Sequence, residues 1–266
     1  MRAAIVWTVV RREALEIVRN RLLVLSIVIP PIVLVVTPLV LGSLASVAAA
    51  TQPLPPDFVK TIVASRPDWA DLALTDLVAA YSLQQFLSLF LILPAYVPLS
   101  IATFSIVGEK QTKSLEAVLA SPIKTSELLG GKTLSAIVPG MLTSWLAYGL
   151  LVVLAGIVLG PRLASVILDP SWLAAVFLLG PAVGLVSCVA GIIVSSRVND
   201  PRVAQQIGGL IIIPLASIAV IQAISGFLFG AQQYVIAAIL TTIVGVAGLR
   251  LANRLFGRET ILTRWR

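Results

Sequence analysis

The stretch LLVLSIVIPPIVLVVTPLVLGSLASVAAA, residues 22–50, contains no charged side chain. It is long enough to cross a bilayer, because about 20 apolar residues in a helix span a hydrocarbon layer of roughly 30 Å. The rest of the 266-residue chain continues the pattern: 58% of its residues are hydrophobic, 12% are charged, and the mean hydropathy is +1.02. A soluble domain is nearer half apolar and a quarter charged. The composition therefore predicts an all-α, polytopic integral membrane protein.

About six transmembrane helices are expected within a single transmembrane domain that covers residues 1–266. The apolar runs place them at about 22–50, 77–107, 133–159, 171–195, 207–229 and 232–251. The last two runs are nearly continuous and together too long for one crossing, so we divide them at residues 226–230. A short re-entrant helix between them is the alternative.

Prolines and small residues inside the runs predict how the helices bend and pack. Kinks are expected at Pro94, Pro98, Pro139, Pro181 and Pro214. Small residues spaced by four in the fourth run predict close helix contacts, and they are Gly180, Gly184, Cys188, Ser187, Gly191 and Ser195.

The positive charges are strongly one-sided. Of the 19 lysines and arginines, only Lys60, Arg66 and Arg162 fall on one side of this arrangement. Basic residues concentrate in cytoplasmic loops, so both termini are expected in the cytoplasm of a plasma membrane, which we take to be prokaryotic. Topology explains the net charge of +7, and a nucleic-acid partner is not expected.

Residues 1–21 are expected to form an interfacial amphipathic helix. Apolar side chains share one face, and Trp7, Arg11, Arg12 and Arg19 are suited to anchor the helix at the membrane surface. A solvated lead-in is the alternative. A cleaved signal peptide is disfavoured, since the apolar run that follows far exceeds the roughly 7–15 residues of a signal core.

The loop at 51–76 is expected outside the cell. Pro53, Pro55 and Pro56 prevent a helix at its start. Four of the six charged residues in the loop are aspartates, which makes it acidic. Trp69 is expected at the membrane interface.

The charged residue types and histidine are missing from most of the spans. The chain has no histidine, its one cysteine lies in an apolar run, and the six runs contain no Asp, Glu, Lys or Arg before Arg250. The stretch Gly130–Thr133 resembles the end of a phosphate-binding loop, but Ser126 stands where the first glycine is required and no strand precedes it. We expect no catalytic, cofactor or metal site in this chain. A proton- or ion-coupled carrier is disfavoured on the same ground but not excluded.

Neutral polar residues in the spans are candidates for lining a cavity. They are Tyr81, Gln84, Gln85 and Ser88 in the second run, and Gln222 and Ser225 in the fifth. Hydrogen bonding between helices is an equally common role for such residues.

The segment between the second and third runs is far longer than a turn requires. It reads GEKQTKSLEAVLASPIKTSELLGGK, residues 108–132. Leu115, Val118 and Leu119 share one side of a short helix that ends before Pro122, and Ser126 is a candidate cap for the helix that follows. An apolar face that has no partner within this chain predicts a docking partner.

This segment resembles the loop between spans two and three of type-2 ATP-binding-cassette exporter permeases. The family pattern is Glu-Lys, a spacer, then Leu-Glu-Ala-x-Leu-Ala-(Ser/Thr)-Pro. The matching residues are Glu109, Lys110, Leu115, Glu116, Ala117, Leu119, Ala120, Ser121, Pro122 and Lys132. Residues 195–214, SSRVNDPRVAQQIGGLIIIP, resemble the fourth loop and the start of the fifth span in many of these permeases. Residues 112–114 depart from the pattern, because a glycine is common there.

The resemblance implies a permease subunit, an exporter, that pairs with a second copy or a paralogue. A separate cytoplasmic ATPase, which holds the ATP and Mg²⁺, is expected to bind a coupling helix in the loop. The residues implied in that coupling are Glu109, Lys110, Lys113, Leu115, Glu116, Ala117, Leu119 and Pro122. The alternatives are a channel or carrier that works without an ATPase, and a membrane scaffold that transports nothing. The sequence does not identify the cargo.

Overall fold

The computed structural model of the chain describes residues 3–51, 55–112, 123–225 and 228–255. Nearly all of this part of the chain is helical. The helices, numbered in chain order, are α1 Ala3–Arg19, α2 Arg21–Thr51, α3 Pro56–Ser65, α4 Leu74–Phe90, α5 Ile92–Gln111, α6 Thr125–Val158, α7 Pro161–Ile167, α8 Pro170–Leu173, α9 Gly180–Arg197, α10 Pro201–Gly208, α11 Ile212–Ser225 and α12 Ala231–Leu255.

Five helical segments in the described ranges are long and apolar enough to cross a membrane. They are Leu23–Thr51, Leu74–Gln111, Thr125–Val158, Pro170–Arg197 and Ala231–Arg254. A sixth is formed if the bent pair Pro201–Gly208 and Ile212–Ile218 is taken as one span. The all-α, multi-pass membrane architecture expected from composition is therefore confirmed.

Three of the prolines coincide with irregularities in the helices. Proline lacks an N–H and its ring clashes with the carbonyl four residues earlier. Pro94 lies four residues after Phe90, where α4 ends and α5 follows. Pro181 follows a π-helical turn at Ala174–Leu179, and Pro214 follows a 3₁₀ turn at Gly209–Ile211. The other two, Pro98 and Pro139, lie inside unbroken helices.

The second span forms the centre of the bundle. In its most apolar stretch 78% of the residues are buried inside the protein, against 17% for the last span. Within this core, α5 packs along α9 and α6, and α4 packs along α2. The last span, α12, packs on α9.

The glycines of α9 allow its close approach to α5, as their spacing predicts. A Cβ atom on Gly191 would lie 3.1 Å from the carbonyl oxygen of Leu99, and one on Gly184 would lie 3.1 Å from that of Pro94. Because neither residue has a side chain, the two backbones come into direct contact.

The segment that follows α2 is a small folded cap. Its helix α3 begins at Pro56, which lacks the N–H that a first-turn residue would leave unbonded. Ile62 and Trp69 are buried against the bundle. The expected interfacial position of Trp69 is therefore wrong: its indole lies in the core, where Arg66 stacks over the ring at 4.6 Å.

Candidate coupling site at the loop end

The loop end of the bundle is the end where residues 108–132 connect α5 to α6. Most of the residues implied in ATPase coupling lie outside the described part of the chain, namely Lys113, Leu115, Glu116, Ala117, Leu119 and Pro122. Glu109 and Lys110 are described, in the last turn of α5. These two neighbouring residues contact different helices.

Glu109 belongs to a buried ion cluster that joins three helices. The ammonium of Lys132, in α6, lies 2.6 Å from Glu13 Oε1 of α1 and 3.0 Å from Glu109 Oε2 of α5. It also donates a hydrogen bond to Ser105 Oγ at 2.6 Å. All three charged side chains are 3% exposed. The ammonium therefore donates two hydrogen bonds, to Glu13 and Ser105, and lies at ion-pair distance from a second carboxylate, which compensates a buried charge.

Arg12 closes the cluster on its exposed side. Its guanidinium lies 3.5 Å from Glu109 Oε1, and its Nε donates to Glu16 Oε1 at 3.0 Å. Burial by itself would lower the pKa of Arg12, but the attraction of Glu109 and Glu16 outweighs it, and the pKa is raised. Arg12 thus supplies a second positive charge beside two buried carboxylates.

Lys110 attaches the end of α5 to the end of α9. Its ammonium donates to the carbonyl oxygens of Ser195 and Ser196, both at 2.7 Å, and of Val198 at 3.1 Å. The last carbonyls of a helix have no partner within the helix. Lys110 therefore caps α9, and a cation at that position also suits the helix dipole.

The turn after α9 is hydrogen-bonded to the end of α5. Gln111 donates to the carbonyl oxygen of Asn199 at 3.1 Å, and Asp200 accepts from the backbone N–H of Arg202 at the start of α10. In α10, Gln205 donates to Ser100 Oγ of α5 at 2.8 Å. Residues 199–205, within the segment that resembles the family, thus pack beside the start of the loop 108–132.

The loop leads into α6, and Ser126 is not the cap of that helix. The helix begins at Thr125 with Lys124 as its N-cap residue, and the buried Glu127 accepts from the backbone N–H of Lys124 at 3.3 Å. Ser126 lies inside the first turn, so the prediction that it caps this helix is wrong. A carboxylate in the first turn bonds the free N–H and is favoured by the helix dipole.

The sequence did not single out Glu13, although it carried a signal. Glu13 follows Val6 and Val10 by seven and three residues, so an acidic group lies among apolar neighbours on one helical face. In the structure this face packs on the bundle, whereas Trp7 is 70% exposed. Arg11 and Arg19 are exposed as well. An acid on the packed face needs a basic partner, and Lys132 is that partner.

The candidate cavity residues of α4 fall into different surroundings. Gln84 is buried, donates to Ser171 Oγ and accepts from the indole N–H of Trp172, both at 3.0 Å. This geometry favours the interhelical hydrogen-bonding interpretation for Gln84. Tyr81 is also mostly buried, and its ring packs edge-on against Phe58.

Ser88 lies beside the last span. Its hydroxyl is 3.4 Å from the hydroxyl of Tyr234, at a cavity of about 100 Å³ that also touches Gln233. Gln85 is partly buried, and the side chains of Gln222 and Ser225 lie outside the described part. The cavity of about 100 Å³ touches Ser88, and a cavity-lining role for Tyr81 and Gln85 stays a prediction.

A second polar network lies at the far end of the bundle, where the cap meets α8. Arg66 bonds to Asp169 at 2.5 Å and to Asp68 at 2.9 Å. Asp169 accepts from the hydroxyl and the backbone N–H of Ser171, and Ser171 accepts from Gln84. The hydrogen bonds from Arg66 lower the pKa of the Asp68 carboxyl. The network connects the cap to the interior of α4.

The comparison with known families gives one match. Residues 60–244 match the family model described as ABC-2 family transporter protein. No curated protein matches the chain. The matched range covers more than half of the chain, including both ends of the loop 108–132, Lys132 and the far-end network.

Proposed function

The chain belongs to the ABC-2 transporter family, and from this premise we propose that it is an exporter permease driven by a separate ATPase subunit. ATP and Mg²⁺ bind to that subunit, and this chain contributes the transmembrane path. The ATPase docks on the loop at residues 113–122, so that its closure on ATP moves the loop and the helices attached to it.

The observation that carries the proposal is the attachment of Glu109 and Lys110 at the start of the loop. Glu109 is bound to α1 and α6 through the ion cluster, and Lys110 is bound to the end of α9. Since one helix end is fixed to three neighbours, a displacement of the loop is passed to several helices at once.

The orientation follows from the charges. The loop end and the termini carry most of the basic residues, and we place them in the cytoplasm. The far end, with α3 and Asp169, then faces outwards. Single cysteines test this with an impermeant thiol reagent on intact cells: one at Ser65 is expected to react and one at Ser126 is not. The opposite labelling pattern would reverse the orientation.

A second permease, of the same chain or a paralogue, is the proposed membrane partner. The outer faces of α2, α6 and α12 expose many large apolar side chains, which lipid or a second copy can cover. Among the candidate cavity residues, Ser88 has the best support, because it lies at a cavity between α4 and α12. Because the apolar runs contain no Asp, Glu, Lys, Arg or His before Arg250, an amphiphilic cargo is favoured over a bare ion.

The test of the coupling role is a double substitution in the loop. Leu115→Asp with Leu119→Asp places two carboxylates on the face that should enter an apolar groove of the ATPase, where their desolvation is costly. The expected result is loss of the ATPase from the purified complex, with an unchanged amount of permease in the membrane. The matched control, Leu115→Met with Leu119→Met, keeps an apolar face of similar volume and should retain the ATPase.

The alternatives give different results in the same experiment. A channel or carrier would transport equally well when the Asp variant has lost the ATPase or when no ATPase is present. A scaffold would show no transport in any variant. Full retention of the ATPase together with normal transport in the Asp variant would show that the loop is not the coupling element.

A further inference from the structure

We infer that α1 is a transmission arm, which moves as one body with the start of α6 and passes the motion of the coupling loop to the first span, α2. This inference rests on the proposed function, since it names how the coupling loop acts on the rest of the protein. The observations that carry it are the contacts of Glu13, Val9 and Asn20, which lie on α1 or directly after it.

The first contact is ionic. Lys132 lies eight residues after the N-cap of α6 and joins Glu13 to Glu109, so a single ammonium connects α1 to both ends of the loop. Pulling α1 away would separate charges that are almost fully buried. Breaking such a pair strongly disfavours the separated state, because a charge is left without compensation in a medium of low dielectric constant. The cluster therefore stays together when the loop moves.

The second contact is steric and independent of charge. Gly131, the neighbour of Lys132, faces α1 so closely that a Cβ atom there would lie 2.7 Å from Val9 Cγ1 and 3.4 Å from the carbonyl oxygen of Val6. Real Cβ atoms do not approach other atoms to 2.7 Å, so any side chain at residue 131 must displace α1. The helix is thus fixed to α6 at two points one turn apart.

The arm is connected directly to the first span, α2. Asn20 is the only residue between α1 and α2. Its backbone N–H bonds to the carbonyl oxygen of Glu16, and its side-chain oxygen accepts from the backbone N–H of Leu23 at 3.2 Å. Since Asn20 bonds to both helices, no flexible connection separates them. The first span otherwise lies at the periphery of the bundle, with 22% of its most apolar stretch buried, so it has room to shift.

The experiment perturbs the junction of α1 and α6 in two unrelated ways in the complete permease–ATPase complex. Glu13→Ala removes the ionic contact and leaves Lys132 compensated by Glu109, and Gly131→Ala forces Val9 away without changing a charge. Each variant has a matched control. Glu16→Ala removes the next acid along α1, which is 47% exposed and paired with Arg12. Gly149→Ala adds a methyl group to α6 where nothing lies within 4 Å.

The measurement is transport per ATP hydrolysed, together with the amount of ATPase that copurifies. Both junction variants are expected to keep the ATPase and to lose about tenfold or more in transport per ATP, within the range of roughly 5–150-fold typical of coupling between sites. Both controls are expected to match the unaltered protein. A purely structural contact would change the amount of complex and leave this ratio unchanged.

A distance measurement tests the rigid-body part directly. Spin labels at Leu15 on α1 and Leu134 on α6, both exposed, should report the same separation with and without ATP in the otherwise unaltered complex. In the Glu13→Ala variant the separation should change with ATP. A separation that changes with ATP in the unaltered complex would overturn the inference.

The proposed function and the role of α1 would be contradicted by different results. If the unaltered permease neither binds an ATPase nor transports with ATP, the proposed function is wrong. If it does both, and the junction variants keep normal transport per ATP, the function stands and the role of α1 is wrong. If both junction variants disappear from the membrane while their controls remain, α1 is a folding element and the inference is likewise overturned.

Discussion

The two ends of the bundle are both held by charged side chains, but at different depths. At the loop end, Glu13, Glu109 and Lys132 are each 3% exposed and come from three helices. At the far end, Arg66 and Asp169 are 12% and 19% exposed. The far-end charges then continue inwards as a chain of neutral hydrogen bonds, from Asp169 through Ser171 and Gln84 to Trp172.

The two ends differ in how much it costs to separate their charged groups. Buried ions with no access to water must remain together, whereas an ion pair at the surface can exchange its partner for water at little cost. We therefore expect the loop end to behave as a permanent junction. The far-end pair of Arg66 and Asp169 is more exposed, so we expect it to separate at a lower cost than the loop-end cluster.

The largest effect is expected at the loop end. Lys132→Met removes the ammonium that lies between two buried carboxylates and should lower the free energy of unfolding by about 3–5 kcal/mol. Thermal unfolding of the purified permease in detergent measures it. Lys124→Met, which removes an exposed lysine at the start of α6, should leave stability nearly unchanged. Equal stability of the two variants would contradict the description of the cluster as a permanent junction.

A smaller effect is expected from Asp169→Ala at the far end. The variant removes one of the two carboxylate partners of Arg66 and the N-cap oxygen of α8, with an expected loss of about 1–3 kcal/mol. The matched variant Asp169→Asn keeps an oxygen for Ser171 and loses only the charge, so it should retain part of the stability. If Asp169→Ala destabilised the protein more than Lys132→Met, the ranking of the two ends would be reversed.

The smallest effect is expected from Asp68→Asn. Asp68 is 58% exposed, and an exposed ion pair contributes about 0–1 kcal/mol. Because Arg66 lowers the pKa of Asp68, the contribution is present at neutral pH and declines only as the pH falls below the ordinary value of about 3.9. Unfolding compared at about pH 7 and about pH 5 should show the same small difference between Asp68→Asn and the unaltered protein. A difference that disappears at about pH 5 would mean that Arg66 does not hold this carboxylate.

Local chemistry made part of the fold predictable from the sequence. The length of the apolar runs predicted helices that cross a bilayer, and five such helices are described, or six if the bent pair is one span. Pro94, Pro181 and Pro214 coincide with irregular turns, whereas Pro98 and Pro139 lie inside unbroken helices although they lack the same N–H. The glycines of α9 marked a close contact, since only small residues allow two backbones to touch. These features depend on residues near one another in the chain.

Long-range pairing was less predictable. Trp69 was expected at the interface because its ring is amphipathic, but its burial depends on how the cap folds over the bundle. Ser126 was expected to cap α6, but Glu127 forms the capping hydrogen bond. Either side chain can cap a helix, and the residue at which the helix begins decides which of the two does so. Gln84 was a candidate for the cavity until its two partners, 87 and 88 residues away along the chain, were located.

The sequence by itself determined that this is a multi-pass helical membrane protein, and its loop motif pointed to the family that the comparison then established. Both conclusions rest on features that survive without tertiary contacts, namely apolar length and a local motif. Only the tertiary structure decided that Lys132 joins Glu13 to Glu109. These residues lie in three helices, and a buried charge can be compensated by any opposite charge that the fold brings near. Which one is near depends on how the helices pack.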